Sequence, residues 1–298
     1  MRYDDRGTYP RSTQGELKVV DWEAIKKEVV GQKGFAAKLC EQLTPQRLAE
    51  AARRETLGDP PQPVTCENLN DILCRLLDKE YEIYLKFERE IFENIIVFAL
   101  KYAEHFPKIR ELVQESLRLM QCDADPAEKL KQVSANLIPL HKAVVESFAQ
   151  GRKSRAGLSA QYQVAYILDQ IGFKGNYETQ RKLNGTVDFL FPNLETWRND
   201  RRRCTILSIK RSLRERYKQI YQELGITGGL TVYLMVTETN DEAEGDISST
   251  KVDELNRQNI YLVVRDEIKS SRFAETRNVM GFTQFFCDEL PSLRSRWK

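Results

Sequence analysis

The pattern of apolar and polar positions changes character near residue 150. Before that point, apolar residues recur at helical spacing, and the longest helical signal covers residues 81–106. Its own apolar side chains would lie on all sides of the helix, which predicts a helix packed on several sides or at a subunit interface. Three prolines within residues 60–63 predict a break, and Pro139 predicts a bend in a helix over 127–150. The first part of the chain is therefore predicted to be all helical.

After residue 150 the pattern alternates between strands and helices. A basic loop at residues 151–156 leads into a helix that ends at Gly172, and Asn184-Gly185 predicts a hairpin turn between strands at 177–183 and 187–191. Residues 241–249 have a loop composition. Further strands are predicted at 205–210, 230–237 and 260–264, with helices at 212–224, 251–259 and 282–290. This order predicts an all-α domain over 1–135, followed by an α/β domain with a mixed sheet over 136–298.

Composition narrows the classes of function without choosing one. The 298 residues carry a formal net charge of only +2, but lysine and arginine concentrate within residues 200–218, which indicates a local docking surface for an anionic partner. Six cysteines without a CxxC pair and only two histidines argue against a zinc site. The first residues lack an apolar signal segment, and the apolar run at 95–100 is too short to span a bilayer. We therefore expect a cytoplasmic protein.

Three charged residues can form a metal-dependent phosphodiesterase site. Asp188 opens one apolar strand, Lys210 ends another, and Glu223 lies on the helix that follows. Mg²⁺ takes hard oxygen ligands and keeps several waters, so two carboxylates suffice to hold it, and a lysine can hold a phosphate oxygen or orient the attacking water. A charge at a strand end is more often a solvated terminus. The combination favours a site, because each apolar strand carries a single charge.

The helix predicted at 212–224 begins with a segment that has two interpretations. Ser212 and Glu215 form a capping box, which is the ordinary way to begin a helix. Arg214, Glu215 and Arg216 also form a reader of G·C pairs, because arginine binds guanine O6 and N7 while a carboxylate accepts from cytosine N4. Arg216 shares a helix face with Glu223, so the two residues can equally form a structural ion pair.

These residues resemble the catalytic pattern of the PD-(D/E)XK nucleases, and in particular the CCGG family of type II restriction endonucleases with its EcoRII/PspGI-like members. The resemblance covers about residues 150–270 and implies a restriction-endonuclease-like mixed sheet flanked by helices. It implies metal-binding and catalytic roles for Asp188 and Glu223, and a catalytic role for Lys210. Ser208 stands where an acidic residue precedes the lysine in other members of the superfamily. Gln161 takes the place of a glutamate on the first catalytic helix, so it cannot add negative charge there.

The same resemblance implies how DNA is read. Arg214 and Arg216 would read guanines, and Glu215 would bridge neighbouring cytosines. Further DNA contacts are expected from four positions: Lys153, Arg155, Arg211 and Ser212. In the family, the helical first region serves dimerisation and minor-groove contacts.

The resemblance implies a homodimeric, Mg²⁺-dependent enzyme that cuts double-stranded DNA at a palindromic site. The site would contain CC and GG, as in CCGG or CCNGG, with cleavage before the first C, 5′ overhangs and a cognate methyltransferase that protects host DNA. Two alternatives remain open: a structure-specific repair or recombination nuclease of the same fold, and a non-catalytic DNA-binding relative, which Gln161 favours. The sequence contains no Walker or GxGxxG loop, which argues against a nucleotide-binding enzyme.

Overall fold

A computed structural model describes residues 21–179, 187–213 and 230–297, without the side chains of 152–156. The helices are α1 (Trp22–Val29), α2 (Phe35–Cys40), α3 (Pro45–Leu57), α4 (Leu69–Glu93), α5 (Ile95–Lys101), α6 (Pro107–Gln121), α7 (Pro126–Gln170), α8 (Leu194–Asn199), α9 (Asn240–Asp246), α10 (Ser249–Arg257), α11 (Asp266–Arg272) and α12 (Leu290–Leu293). The strands are β1 (Glu178–Thr179), β2 (Phe189–Phe191), β3 (Thr205–Lys210), β4 (Val232–Val236), β5 (Ile260–Val264) and β6 (Val279–Gly281). Short 3-10 turns occupy Ala103–His105, Arg201–Arg203 and Arg294–Trp297, and a π-helical segment covers Gln284–Glu289.

The chain forms two compact units that are each discontinuous in sequence. The first combines residues 1–43 with 86–153, and the second combines 44–85 with 154–298. Helices α4 and α7 therefore contribute residues to both units. The units do not follow the ranges 1–135 and 136–298, so the independence of those two ranges as domains stays a prediction.

The first unit is helical, as its sequence pattern predicts. Its core is formed by buried apolar residues of α1, α2, α5, α6 and parts of α4 and α7, among them Val29, Phe35, Ile95, Ile109, Leu140, Val144 and Phe148. The carboxylate of Glu28 accepts hydrogen bonds from the backbone N–H groups of Lys108 and Ile109 at 2.9–3.0 Å. This carboxylate of α1 thereby caps the N-terminus of α6, where N–H groups lack partners within the helix.

Several helix predictions need correction. The predicted basic loop at 151–156 is wrong, because the 45-residue helix α7 continues through these positions. The same helix also includes Pro139. The predicted helix 81–106 is divided at Asn94, and its first part joins the segment from residue 69 in α4. The loop predicted at 241–249 is also wrong, since Thr239 and Glu242 form a capping box that begins α9. For α9, the local capping box outweighs the loop composition.

The second unit is built around a six-stranded sheet in the order β1-β2-β3-β4-β5-β6. The pairs β1–β2 and β2–β3 are antiparallel, whereas β3 to β6 are parallel. The face of the sheet that carries Leu207, Ile209 and Met235 packs on apolar residues of α4 and α7. The opposite face, with Ile206 and Leu234, packs on α9, α10 and α11. The predicted mixed sheet with flanking helices is confirmed, although residues 184 and 185 of the predicted hairpin turn lie outside the described residues.

A disulfide joins Cys66 to Cys287 within the second unit, across a sequence separation of 221 residues and a Cα–Cα distance of 5.9 Å. The spacing of the cysteines gave no sign of this pair. Cys204 is buried directly before β3, where a reduced thiol behaves as a small apolar side chain. Among the described helices, none is both long and apolar enough to cross a membrane.

Candidate active site at the sheet edge

Asp188 lies directly before β2, at the edge of the sheet where β3 ends. The register pairs Phe189 with Leu207, which places Asp188 across from Ser208. Its Oδ2 accepts hydrogen bonds from the backbone N–H of Ile209 at 2.6 Å and from Ser208 Oγ at 3.2 Å. The antiparallel pairing of two short apolar strands thus fixes the carboxylate against the end of β3.

Gln161 reaches the same carboxylate from α7. Its Nε2 donates a hydrogen bond to Asp188 Oδ1, so both carboxylate oxygens are held by protein donors. The structure therefore brings together two residues that lie far apart in sequence and that the sequence pattern assigns to one site. A glutamine at this position orients Asp188 by donating, which a glutamate in its ionised form could not do.

The effect of burial on the Asp188 carboxyl is offset only in part by its donors, and its pKa stays raised. Burial raises the pKa of Asp188, while the Ile209 N–H, the charge of Lys210 and the hydrogen bonds from Ser208 and Gln161 oppose that rise. The side chain is 6% exposed. A carboxylate that is shielded from bulk water yet surrounded by donors keeps a fixed orientation, which suits a group that must bind a ligand at one place.

Lys210 ends β3 next to Asp188. In the parallel pairing with β4, it lies beside Val236, and its carbonyl oxygen accepts from the Thr237 N–H at 3.1 Å. The Lys210 ammonium is close enough to act on the pKa of Asp188. The two residues therefore lie at the ends of neighbouring strands, and their catalytic roles stay predictions.

The predicted DNA-contacting residues are only partly described. Arg211 follows Lys210, with its Cζ 4.0 Å from the centroid of the Tyr81 ring and its Nη2 4.0 Å from Glu242 Oε1. Ser212 is partly buried. Lys153 and Arg155 lie on α7, but the description does not extend to their side chains. Four predicted residues lie outside the described residues altogether: Arg214, Glu215, Arg216 and Glu223.

The Asp188 carboxylate keeps capacity for a bond to a metal ion beside its hydrogen bonds. A carboxylate offers about four lone-pair sites, and those of Asp188 receive three hydrogen bonds from Gln161, Ser208 and Ile209, which leaves room for one further ligand. Within the described residues, no group of three or more His, Cys, Asp or Glu side chains could hold a metal ion. Mg²⁺ needs only one or two carboxylates, because it keeps waters and binds substrate phosphate.

Glu80 is a buried carboxyl of α4 that belongs to none of the motifs identified in the sequence. Its oxygens accept hydrogen bonds from Ser159 Oγ and, at 3.1 Å, from Gln163 Nε2. Glu80 stands on the apolar stripe of α4 between Leu76 and Tyr84, both buried. An acidic residue on an otherwise apolar helix face was the signal that could have found it.

Comparison with known proteins bears on the identity of this site. The family model described as EcoRII C terminal matches residues 125–286, which is more than half of the chain and includes Gln161, Asp188 and Lys210. No curated protein sequence matches the chain.

Two solved structures of Ecl18kI have the same fold as this chain. Metal-depleted Ecl18kI in complex with uncleaved, modified DNA superposes with a TM-score of 0.67 at 17% identity, over 90% of this chain and 86% of that one. Metal-depleted Ecl18kI in complex with uncleaved DNA gives a TM-score of 0.66 at 18% identity, over 93% and 86%. The restriction endonuclease PspGI–substrate DNA complex has a TM-score of 0.47 at 16% identity, over 91% and 96%. With its restriction-endonuclease-like fold and a family match over more than half of its length, this chain belongs to the EcoRII C-terminal family.

Proposed function

We propose that the protein is a homodimeric, Mg²⁺-dependent type II restriction endonuclease that cuts double-stranded DNA at a palindromic site containing CC and GG. The observation that carries the proposal is the Asp188 carboxylate, held by Ile209, Ser208 and Gln161 and placed beside Lys210. A buried, oriented carboxylate next to a lysine at a sheet edge is the arrangement that phosphodiester hydrolysis needs. Membership of the EcoRII C-terminal family supports it.

Each residue of the site has a distinct task in this proposal. Asp188 and Glu223 would hold the ion. Bound Mg²⁺ would polarise the scissile phosphate and lower the pKa of a water. The Lys210 ammonium is a compact charge that binds a non-bridging phosphate oxygen or orients the attacking water. Gln161 fixes the orientation of Asp188 and adds no charge, so this site relies on fewer carboxylates than one with a glutamate at position 161.

In this proposal, the segment that follows β3 recognises the DNA sequence. Arg214 and Arg216 would bind guanine O6 and N7, and Glu215 would accept from cytosine N4. A palindromic site consists of two identical half-sites related by a two-fold axis. Two copies of the protein related by the same axis are therefore needed to read it. By resemblance, the core is CCGG or CCNGG, the cut falls before the first C and leaves 5′ overhangs, and a cognate methyltransferase protects host sites.

A digest of a sequenced plasmid with Mg²⁺ or with EDTA, followed by mapping of the ends, tests the proposal. The expected result is a set of discrete fragments that require Mg²⁺ and end 5′ of a CC/GG site. A smear of fragments would reject sequence-specific cleavage and would favour the structure-specific nuclease instead.

A second candidate follows from Gln161, which replaces the usual glutamate. A non-catalytic DNA-binding relative would shift specific DNA in a gel without cutting it at any Mg²⁺ concentration. In that outcome, Gln161→Glu is the first variant to prepare, because restored cutting would identify the missing charge as the cause.

A further inference from the structure

Glu80 is a buried carboxyl that the proposed chemistry does not use. It lies on α4 and accepts hydrogen bonds from Ser159 and Gln163, which lie one helical turn apart on α7. Glu80 is 5% exposed, and both of its partners are fully buried. The carboxyl therefore connects α4 to the turn of α7 that also carries Gln161.

Arg53 of α3 joins this network from another side. Its Nη1 donates to the Tyr162 carbonyl at 3.3 Å and to Gln163 Oε1 at 3.5 Å. Gln163 Nε2 in turn donates to the Ala49 carbonyl at 3.1 Å. Three helices thus meet at one polar cluster in an otherwise apolar interior, and such a cluster specifies one arrangement of its helices.

Tyr81, which follows Glu80 on α4, contacts Arg211 directly after the end of β3. The guanidinium of Arg211 lies over the Tyr81 ring, with its Cζ 4.0 Å from the ring centroid. Arg211 directly follows Lys210, and its charge also acts on Glu80. The Tyr81 ring contacts the guanidinium, and the Glu80 carboxyl on the same helical turn adds negative charge near it. Glu242 is a further carboxylate near Arg211, with its Oε1 4.0 Å from Arg211 Nη2.

The charge of Glu80 depends on pH near neutrality. Burial raises the pKa of Glu80 to about 7, against the opposing hydrogen bonds from Ser159 and Gln163 and the charges of Arg211 and Arg53. The attraction between Glu80 and Arg211 is therefore stronger above neutral pH than below it.

We propose that Glu80 and Tyr81 are positioning residues that orient Arg211, and with it the chain leaving Lys210, for DNA cleavage. In that orientation, Arg211 presents one edge of its guanidinium to a phosphate of the bound DNA. Glu80 also supports the α7 turn that carries Gln161, so this turn of α4 supports both sides of the Asp188–Lys210 pair. The inference rests on the proposed function.

Two substitutions at Tyr81 separate the ring from the hydroxyl group. Single-turnover cleavage of a duplex that carries the mapped site is measured in parallel with the Kd for that duplex. Tyr81→Phe keeps the ring face and should cleave at about the wild-type rate, whereas Tyr81→Leu should be about tenfold slower. Equal cleavage rates for the two variants would overturn the role of the ring.

The pH dependence of Glu80→Gln tests the carboxyl. Glutamine resembles the protonated carboxyl, so the ratio of the wild-type rate to the Glu80→Gln rate should be near one at pH 6 and rise about threefold or more by pH 8.5. Taking the ratio removes the pH dependence of the chemical step itself. Glu82→Gln is the matched control, because Glu82 is exposed and pairs with Lys79 at 2.6 Å. Its ratio should stay constant, and a constant ratio for Glu80→Gln would overturn the inference.

The outcomes also separate this inference from the proposed function. A wild-type protein that cuts no DNA overturns both. A wild-type enzyme that cuts, with a constant ratio for Glu80→Gln and equal rates for the Tyr81 variants, overturns only the positioning role. Thermal melts accompany every variant, and if Glu80→Gln does not fold, the comparison of Tyr81→Phe with Tyr81→Leu decides.

Discussion

Asp188 keeps a fixed orientation because three protein donors share its two oxygens. The Ile209 N–H and Ser208 Oγ hold one oxygen, and Gln161 holds the other. The sequence could predict Asp188 and Lys210, since each is the single charge of an apolar strand. It could not predict the hydrogen bonds of Glu80, because the partners of Glu80 on α7 lie 79 and 83 residues further along the chain. Contacts at that separation depend on packing that local patterns do not contain.

Replacing Lys210 by alanine tests the catalytic lysine. We expect cleavage to fall roughly 10²- to 10⁴-fold, because the charge that serves the phosphate or the attacking water is lost. Specific DNA binding should persist, as measured by a gel shift with EDTA present. Lys131→Ala is the control, since Lys131 forms only an exposed pair with Glu128 at 3.2 Å. Cleavage at the wild-type rate by Lys210→Ala would reject the assignment.

Glu80 should make stability depend on pH in a defined direction. Its pKa rises from 4.5 to about 7 on folding, so the folded state binds more protons between these values. The stabilising contribution is complete below about pH 4.5 and is lost as the pH rises through about 7. Between pH 5 and pH 8, the wild type should lose about 1–3 kcal/mol relative to Glu80→Gln, as measured by urea unfolding. A difference that is equal at both pH values would contradict the shift.

At the scale of elements, strands were easier to predict than helix ends. β3, β4 and β5 are buried parallel strands, and such strands are short runs of apolar residues that stand out in sequence. The sequence pattern predicts a basic loop between two helices at residues 151–156, yet α7 continues through the loop and through Gly151 and Gly157. Glycine weakens a helix by about 1 kcal/mol relative to alanine, which the rest of a long helix can overcome.

Substitution of Gly157 tests the continuity of α7, and Gly281 of β6 provides a contrast with crowded surroundings. A Cβ atom at Gly157 would meet nothing within 4 Å, so Gly157→Ala should raise the free energy of unfolding by about 0.5–1 kcal/mol. A Cβ atom at Gly281 would lie 2.2 Å from Asp266 Oδ1, so Gly281→Ala should destabilise. Urea unfolding of both variants measures the two effects. Gly157→Ala without such a gain would contradict a helix that continues through residue 157.

At the scale of the whole molecule, one covalent bond closes a large part of the chain. The Cys66–Cys287 disulfide encloses Gln161, Asp188 and Lys210 within its loop. A crosslink restricts the unfolded chain more when it closes a longer loop, by up to about 5 kcal/mol at this separation in the entropic account, although measured effects centre on about 2–4 kcal/mol. Cysteines at this distance in sequence cannot be paired from spacing alone.

Reduction of the disulfide should therefore lower thermal stability. We expect dithiothreitol to lower the melting temperature of the wild type and to leave that of Cys66→Ser unchanged. Cys122→Ser serves as a control, because Cys122 is outside the disulfide and should respond to the reductant like the wild type. A wild type that melts at one temperature with and without reductant would show that the bond does not contribute to stability.

The same bond changes what a single break in the backbone can do. A protease that cuts anywhere between residues 66 and 287 leaves two fragments that remain covalently joined, and both carry part of the second unit. Such a nicked protein would migrate as one full-length band in a denaturing gel without thiol and as two bands with it. The integrity of the backbone around Asp188 and Lys210 is therefore visible only in a reduced sample.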